Sequence, residues 1–410
     1  MTKILVRFVL CVVFLLSGAL LQAQAIVSVS VRGLKRTKPH VAEYPLQKFI
    51  GQNGMLLDFS EVRAAIIGTG ILEPLSIGVE QTPNRESLIL VVDVREKWSF
   101  FPFPVFFMDS GGNIQGGGAL MDANAFGLND TFIAAGLYGA SGWLASVIYN
   151  YTPERKRLPG WSVMGMYGRM NRQDTDQHKT ELRNYEHETI AGNLGIRYPV
   201  TEYLTASSSF SLRRQVLSEG GHPREVPDRG IFAGGINPSL EISRSHWDGF
   251  LLSQQRASLN YALTLSLDNP PLHALSARGN YEASLVPGFK AGLRGGIHYA
   301  PNALPILESS ASSVDIAILP NSFSARNFAG ASLGIEKYLY KFSQGTLAFL
   351  ASYQAVYSYG PILGDQFDHG ISTAVNFYLS RIAIPALGFG VSYNVAKNEY
   401  IGVFSIGMSF

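Results

Sequence analysis

The sequence predicts a transmembrane β-barrel of about 16 antiparallel strands, preceded by one small α+β domain. Three observations carry that expectation. The chain ends Glu399-Tyr-Ile-Gly-Val-Phe-Ser-Ile-Gly-Met-Ser-Phe410, where Phe404, Ile406, Met408 and Phe410 share one face of an extended strand. A soluble domain rarely leaves so apolar an edge bare, because unpaired apolar edges aggregate. In a membrane barrel the last strand closes against the first and its apolar face meets lipid. Second, the chain from Trp98 onward falls into segments of about ten residues that alternate in polarity. Leu259, Tyr261, Leu263 and Leu265 oppose Ser258, Asn260, Ala262 and Thr264, and Leu293, Ile297 and Tyr299 oppose Arg294, Gly296 and His298. A soluble sandwich also alternates, but its polar face normally carries more charge, and it leaves the terminal strand unexplained. Third, charged residues are only 16% of the chain. Past residue 25 no apolar run is long enough for a spanning helix, so insertion must use a closed sheet.

Taken in order, residues 1–25 read as a secretory signal peptide. Lys3 and Arg7 precede an apolar run from Phe8 to Leu21, and Ala23-Gln24-Ala25 offers a small-x-small cleavage site. The run is long for a signal core, so a membrane anchor is the alternative; Gln22 and the cleavable tripeptide argue against it. The single cysteine, Cys11, lies in this segment without lipoprotein spacing. The mature chain is therefore expected to hold no thiol, disulfide or thiolate metal site. With 33 basic and 31 acidic residues and no basic block, nothing suggests nucleic-acid binding.

Residues 26–96 predict strand, helix, helix, strand, strand. Ile26-Val-Ser-Val-Ser-Val31 alternates and ends at Arg32-Gly33. Val41, Tyr44, Phe49 and Ile50 make a weak helical pattern interrupted by Pro45, and Asp58-Phe-Ser-Glu61 reads as a capping box before Val62, Ala65 and Ile66. Leu75, Ile77 and Val79 alternate, Pro83-Asn84-Arg85 is turn chemistry, and Leu88 to Val94 is a hydrophobic strand. Val31-Arg-Gly-Leu-Lys-Arg-Thr37 and Gly70-Ile-Leu-Glu-Pro-Leu-Ser-Ile-Gly-Val79 resemble the POTRA domain, the periplasmic module of the BamA-like outer-membrane assembly and bacterial surface antigen family. The resemblance is to a short form with a single POTRA domain (β-α-α-β-β, residues 26–96) before a barrel at 97–410. It implies an outer-membrane location, with this domain in the periplasm.

In the barrel, the last five strands are expected to begin near Ala331, Gly345, Ile371, Ile384 and Tyr400, and the first to span Phe100 to Phe107. Four long polar stretches, 171–188, 218–229, 300–328 and 360–369, become extracellular loops three, four, six and seven. The short links Gly127-Leu-Asn-Asp130, Val286-Pro-Gly288 and Ser380-Arg381 become periplasmic turns. Thr152 to Gly160 is a somewhat long periplasmic link.

Two barrel motifs extend the resemblance. Asp122-Ala-Asn124-Ala-Phe-Gly127-Leu-Asn-Asp130 resembles the family's second-strand signature, with Gly127 and Asn129 suited to positive φ; an ordinary hairpin turn is the alternative. Ser324-Ala-Arg326-Asn327-Phe328-Ala-Gly330 sits where the family's sixth loop carries a Val-Arg-Gly-aromatic motif and folds into the lumen. Arg326 and Phe328 then match its arginine and aromatic, with Asn327 at the glycine position. A lumenal arginine needs acceptors. The family's acidic partner, in a Phe-x-Asp-x-Gly strand, has no counterpart in Leu350-Ala-Ser-Tyr-Gln-Ala355, and Phe367-Asp368-His369-Gly370 is a loose echo. A solvated loop arginine is the alternative.

No catalytic, cofactor or metal site is expected. There is no Gly-x-Ser-x-Gly elbow, the histidines are scattered, and the acidic residues of loop three are interleaved with Arg172, Lys179 and Arg183. The resemblance implies a monomeric barrel that assists insertion of β-barrel proteins or translocation of polypeptides. Its partners would be unfolded outer-membrane clients, membrane lipid and periplasmic accessory proteins docking on the POTRA domain. The alternatives are a dedicated secretion pore for one partner and a passive surface barrel.

Overall fold

The computed structural model describes residues 24–85, 87–108, 114–140, 142–153, 158–175, 181–222, 230–248, 251–267, 269–320, 323–343, 345–360, 364–379 and 387–406. Residues 1–23, most of the stretch read as a signal peptide, and Met408 and Phe410 lie outside them. The chain divides into two units, Met1–Lys97 and Trp98–Phe410.

In the first unit, alternation makes Ile26–Arg32 strand β1. Pro39–Glu43 is helix α1, and Tyr44–Phe49 continues it as a 3₁₀ turn. Pro45 has no N–H to donate back along an α-helix, so the pattern over 41–50 tightens rather than extends. Helix α2 (Phe59–Ile67) starts where Asp58 Oδ1 accepts from Ser60 N at 2.8 Å. Strands β2 (Leu72–Gln81) and β3 (Leu88–Glu96) follow. The sheet order is β1–β3–β2, parallel between β1 and β3 and antiparallel between β3 and β2. Leu46, Val62, Ile66, Leu72 and Leu90 are fully buried in its core.

The loop after β1 has a specific cause. Gly33 has φ +92°, and a Cβ there would collide with Val94 O, so only glycine lets the chain leave beside β3. The loop then closes on one side chain, since the N–H groups of Lys35, Arg36 and Thr37 donate to the Glu96 carboxylate at 2.7–3.0 Å. Burial by itself raises the Glu96 pKa, but the three donors together outweigh it and hold the carboxyl below its ordinary value.

The second unit begins with strands β4 (Phe100–Met108), β5 (Ile114–Ala125), β6 (Asp130–Gly139), β7 (Gly142–Tyr151), β8 (Gly160–Thr175) and β9 (Glu181–Pro199). Next come β10 (Leu204–His222), β11 (Ile231–Asp248), β12 (Leu251–Ser266), β13 (Asn269–Val286) and β14 (Phe289–Tyr299). Two-residue strands β15 (Ser309–Ser310) and β16 (Ser324–Ala325) pair within the following loop. Strands β17 (Asn327–Phe342), β18 (Gly345–Gly360), β19 (Gly364–Leu379), β20 (Leu387–Asn394) and β21 (Glu399–Ile406) complete the set. Apart from the loop pair, sixteen strands among the described residues form one antiparallel ring in sequence order, and β21 returns to β4.

Apolar side chains on alternate positions point outward: Leu194, Ile196, Leu259, Leu265, Leu293 and Ile297 are each about half exposed. Around the β5–β6 end, Trp161 lies 5.4 Å from Tyr149 and 5.7 Å from Tyr151, and Phe126 lies 6.1 Å from Tyr149, an aromatic cluster of the kind that marks a membrane interface.

Two expectations are corrected. Of the four long polar stretches, 300–328 is mostly loop as expected, but strands run into the other three: β8 runs to Thr175, β9 starts at Glu181, β10 runs to His222 and β19 starts at Gly364. Strands of 19 residues, as in β9 and β10, exceed the roughly 9–11 that a bilayer crossing needs. Beyond it, polar pairs such as Arg169–Glu186 and the cross-strand ladder sustain pairing in water. The last five strands accordingly begin at Asn327, Gly345, Gly364, Leu387 and Glu399. The first strand stands where expected, with Pro102 and Pro104 inside β4, opposite Leu120 and Gly118.

Candidate functional site

Residues 300–320 and 323–326, between β14 and β17, lie in the interior of the barrel. At one side Ile306 packs with Ile231 and Ala233 of β11, joined by Leu217 of β10. At the other, Val314, Ile316, Ile318, Leu319 and Phe323 form a buried cluster with Phe328 of β17 and Val356 of β18. Ala317 N donates to Gln354 Oε1 of β18 at 2.8 Å, and Asn394 Nδ2 of β20 donates to Ile318 O at 3.2 Å. A segment touching β10–β11 and β17–β20 on their non-lipid face must cross the lumen.

Two glycines admit it. A Cβ on Gly330 would lie 2.8 Å from Ile316 Cγ1, and one on Gly296 would lie 3.1 Å from Val314 Cα. Close approach of the loop to the wall therefore depends on residues without side chains.

Arg326 stands at the end of this loop. Its Nε lies 3.7 Å from Glu308 Oε1, and its Nη1 donates to Pro301 O at 3.3 Å. The Glu308 side chain is 2% exposed. An acidic partner thus comes from the same loop, and the solvated-arginine alternative fails. Asp368 lies elsewhere: it accepts from Asn394 Nδ2 at 3.0 Å and faces Lys397 Nζ at 3.6 Å. Lys397 in turn sits 4.3 Å over the Phe323 ring, which ties the loop to the β20–β21 connection.

Asn327 is not among the residues of positive φ, so its place at the family's glycine position does not rest on that backbone freedom. It is the first residue of β17, and its Oδ1 accepts from Ala300 N at 2.9 Å, fastening the two ends of the loop together. Phe328 is 1% exposed and packs edge-on against Phe323, centroids 6.2 Å apart.

Asp122, Asn124 and Gly127 form a capped turn. Asp122 Oδ1 accepts from Asn124 N and from Ser99 Oγ, and Asn124 Oδ1 accepts from Asn129 N at 2.8 Å. Phe126, Gly127 and Asn129 all have positive φ. Asp130, fully buried, accepts from Tyr149 OH and Thr152 N. Through Ser99 the motif fixes the entry to β4, a link that an ordinary hairpin would not make.

The C-terminal strand reaches β4 at one register pair among the described residues, Gly402↔Met108. Phe404 and Ile406 are paired on the other side to Phe389 and Leu387. By contrast, β4–β5 and β20–β21 are each registered along most of their length.

A further lumenal group was not foreseen. Lys290 Nζ lies 3.1 Å from both Glu282 Oε2 and Glu336 Oε2, and Arg294 Nη2 lies 2.5 Å from Glu282 Oε1. Asn376 and Tyr378 OH both donate to Glu336 Oε1. Its signal in the sequence was single charges on the lumenal parity of β13, β14 and β17. Breaking such a buried network costs about 3–5 kcal/mol, so it braces this wall. Among the described residues no cluster of three or more His, Cys, Asp or Glu could hold a metal.

No family model matches the chain, and no curated protein matches it. Solved structures do. BamA from Haemophilus ducreyi lacking POTRA domains 1–3 is 12% identical with a TM-score of 0.58, over 93% of this chain and 84% of that one. CdiB from Acinetobacter baumannii is 13% identical with a TM-score of 0.61, over 95% and 74%; CdiB from Escherichia coli is 10% identical with the same score, over 94% and 74%. At these identities the likeness is one of fold: the chain has the fold of the BamA and CdiB barrels.

Proposed function

We propose that this is an outer-membrane protein that assists insertion of β-barrel proteins or translocation of polypeptides, with residues 26–96 as a single periplasmic POTRA domain. The observation that carries the reading is the seam. Where β21 meets β4, one registered pair stands among the described residues, and β4 contains Pro102 and Pro104, each lacking a ladder donor. A seam so lightly held offers strand edges that can template an incoming strand. The free edge of β2, with Leu75 and Val79 exposed, offers the same chemistry in the small domain. The mechanism is physical and not catalytic.

The half-exposed polar wall of β9–β12 favours a second reading, a dedicated pore for one exported polypeptide. Depleting the protein and profiling the outer-membrane proteome separates them. Broad loss of barrel proteins supports assembly, loss of one exported protein supports the pore, and an unchanged proteome overturns both.

A further inference from the structure

The lumenal loop does not fill the barrel evenly. The inner faces of β17–β20 are largely buried beneath it, whereas those of β9–β12 stay half exposed. That open wall is hydroxyl- and amide-rich: Ser207, Ser209, Ser211, Asn237, Ser239 and Asn260 face inward, with Ser207 Oγ 2.6 Å from Ser239 Oγ and Asn237 Nδ2 donating to Ser209 Oγ at 3.2 Å. Such a surface holds water.

The charges of the lumen are distributed unequally. Six lumenal carboxylates have a cation within 4 Å: Glu241 has Arg256, Glu282 has Lys290 and Arg294, and Glu336 has Lys290. Glu308 has Arg326, Asp315 has Arg278, and Asp368 has Lys397. Two arginines are left over, Arg197 of β9 and Arg213 of β10, both on the lumenal parity and with no carboxylate partner among the described residues. Arg197 is registered to Ser207, so Arg213 stands six residues, or about 20 Å, farther along the same wall. Arg213 is flanked in register by Ala191 and Ala233, and Ala233 packs with Ile306. The apolar strap Leu304–Leu307 therefore crosses the lumen at the level of Arg213. Guanidinium does not deprotonate, and without a carboxylate it must keep its water.

We propose that the lumen passes small hydrated anions in preference to cations, with Arg213 as the selectivity-determining residue and the Leu304–Leu307 strap as the barrier beside it. The unpaired positive charge, in a narrow space with low-dielectric walls, raises the local anion concentration as charged rings do in other pores. This holds whichever polypeptide the protein handles.

The test is the reversal potential of the full-length protein in planar bilayers across a potassium chloride gradient. The unaltered chain is measured at high voltage, and Ile306→Ser beside it, so selectivity is read even if that variant does not fold. Heat-modifiable gel migration serves as the folding check. The expected results are higher open probability in Ile306→Ser, a chloride-selective reversal potential, a shift toward zero in Arg213→Gln and a change of sign in Arg213→Glu. A cation-selective parent, an unmoved reversal potential in Arg213→Glu, or no conductance in folded Ile306→Ser would each overturn the proposal.

Discussion

Replacing Arg326 by glutamine should release the lumenal loop. The substitution leaves Glu308, whose side chain is 2% exposed, facing a neutral group 3.7 Å away. Two unit charges at that separation attract by about 4–5 kcal/mol at an effective dielectric near 20. Loss of one partner of a buried pair typically costs about 3–5 kcal/mol. Arg326 is one-fifth exposed, so the lower figure of about 3 kcal/mol applies. At 1.4 kcal/mol per decade this raises the population of undocked loop roughly a hundredfold. A cysteine at Ile316, 5% exposed against Gly330, reports that population through its maleimide labelling rate. The single native cysteine, Cys11, is replaced by serine in this background. Arg326→Gln and Glu308→Gln should each accelerate labelling, and the double variant by less than the product of the two, because the pair is coupled. If Arg326→Gln labels at the rate of the reporter alone, the pair does not hold the loop.

Gly330→Val should have the same labelling phenotype without any change of charge, since its side chain would occupy the space of Ile316 and Val314. Asp130→Ala should lower the temperature at which the barrel loses its compact gel mobility, because Tyr149 OH and Thr152 N lose their acceptor at a cost of about 1–3 kcal/mol. In the small domain, Glu96 has a depressed pKa, so its contribution is present above its unfolded value and lost as pH falls through the folded one. Hydrogen exchange should show the amides of Lys35, Arg36 and Thr37 losing protection on acidification, whereas in Glu96→Gln protection should be low and nearly independent of pH.

Alternation made the barrel legible, because one face of each strand must suit lipid and the other water, and that constraint is written into every second residue. The small domain was legible in part: the Asp58 cap and the β1 pattern are local signals, whereas Pro45 changed the type of helix through a hydrogen bond it cannot make. Strand ends were misjudged because polar residues continue a ladder as well as apolar ones once both faces are wet. The Glu308 partner of Arg326 could not be read, since it depends on how a long loop folds back on itself. The lumenal network around Lys290 was visible only as isolated charges, whose meeting needs the register of strands far apart in sequence.

The proposed function turns on whether the first and last strands must separate. Gly402 is registered to Met108, so Gly402→Cys with Met108→Cys sets two thiols on facing positions across the seam. The most direct measurement is insertion of client barrel proteins by this variant, reconstituted in liposomes, oxidised and then reduced. The account predicts that oxidation abolishes insertion and reduction restores it; insertion at the unmodified rate with the seam locked would contradict it.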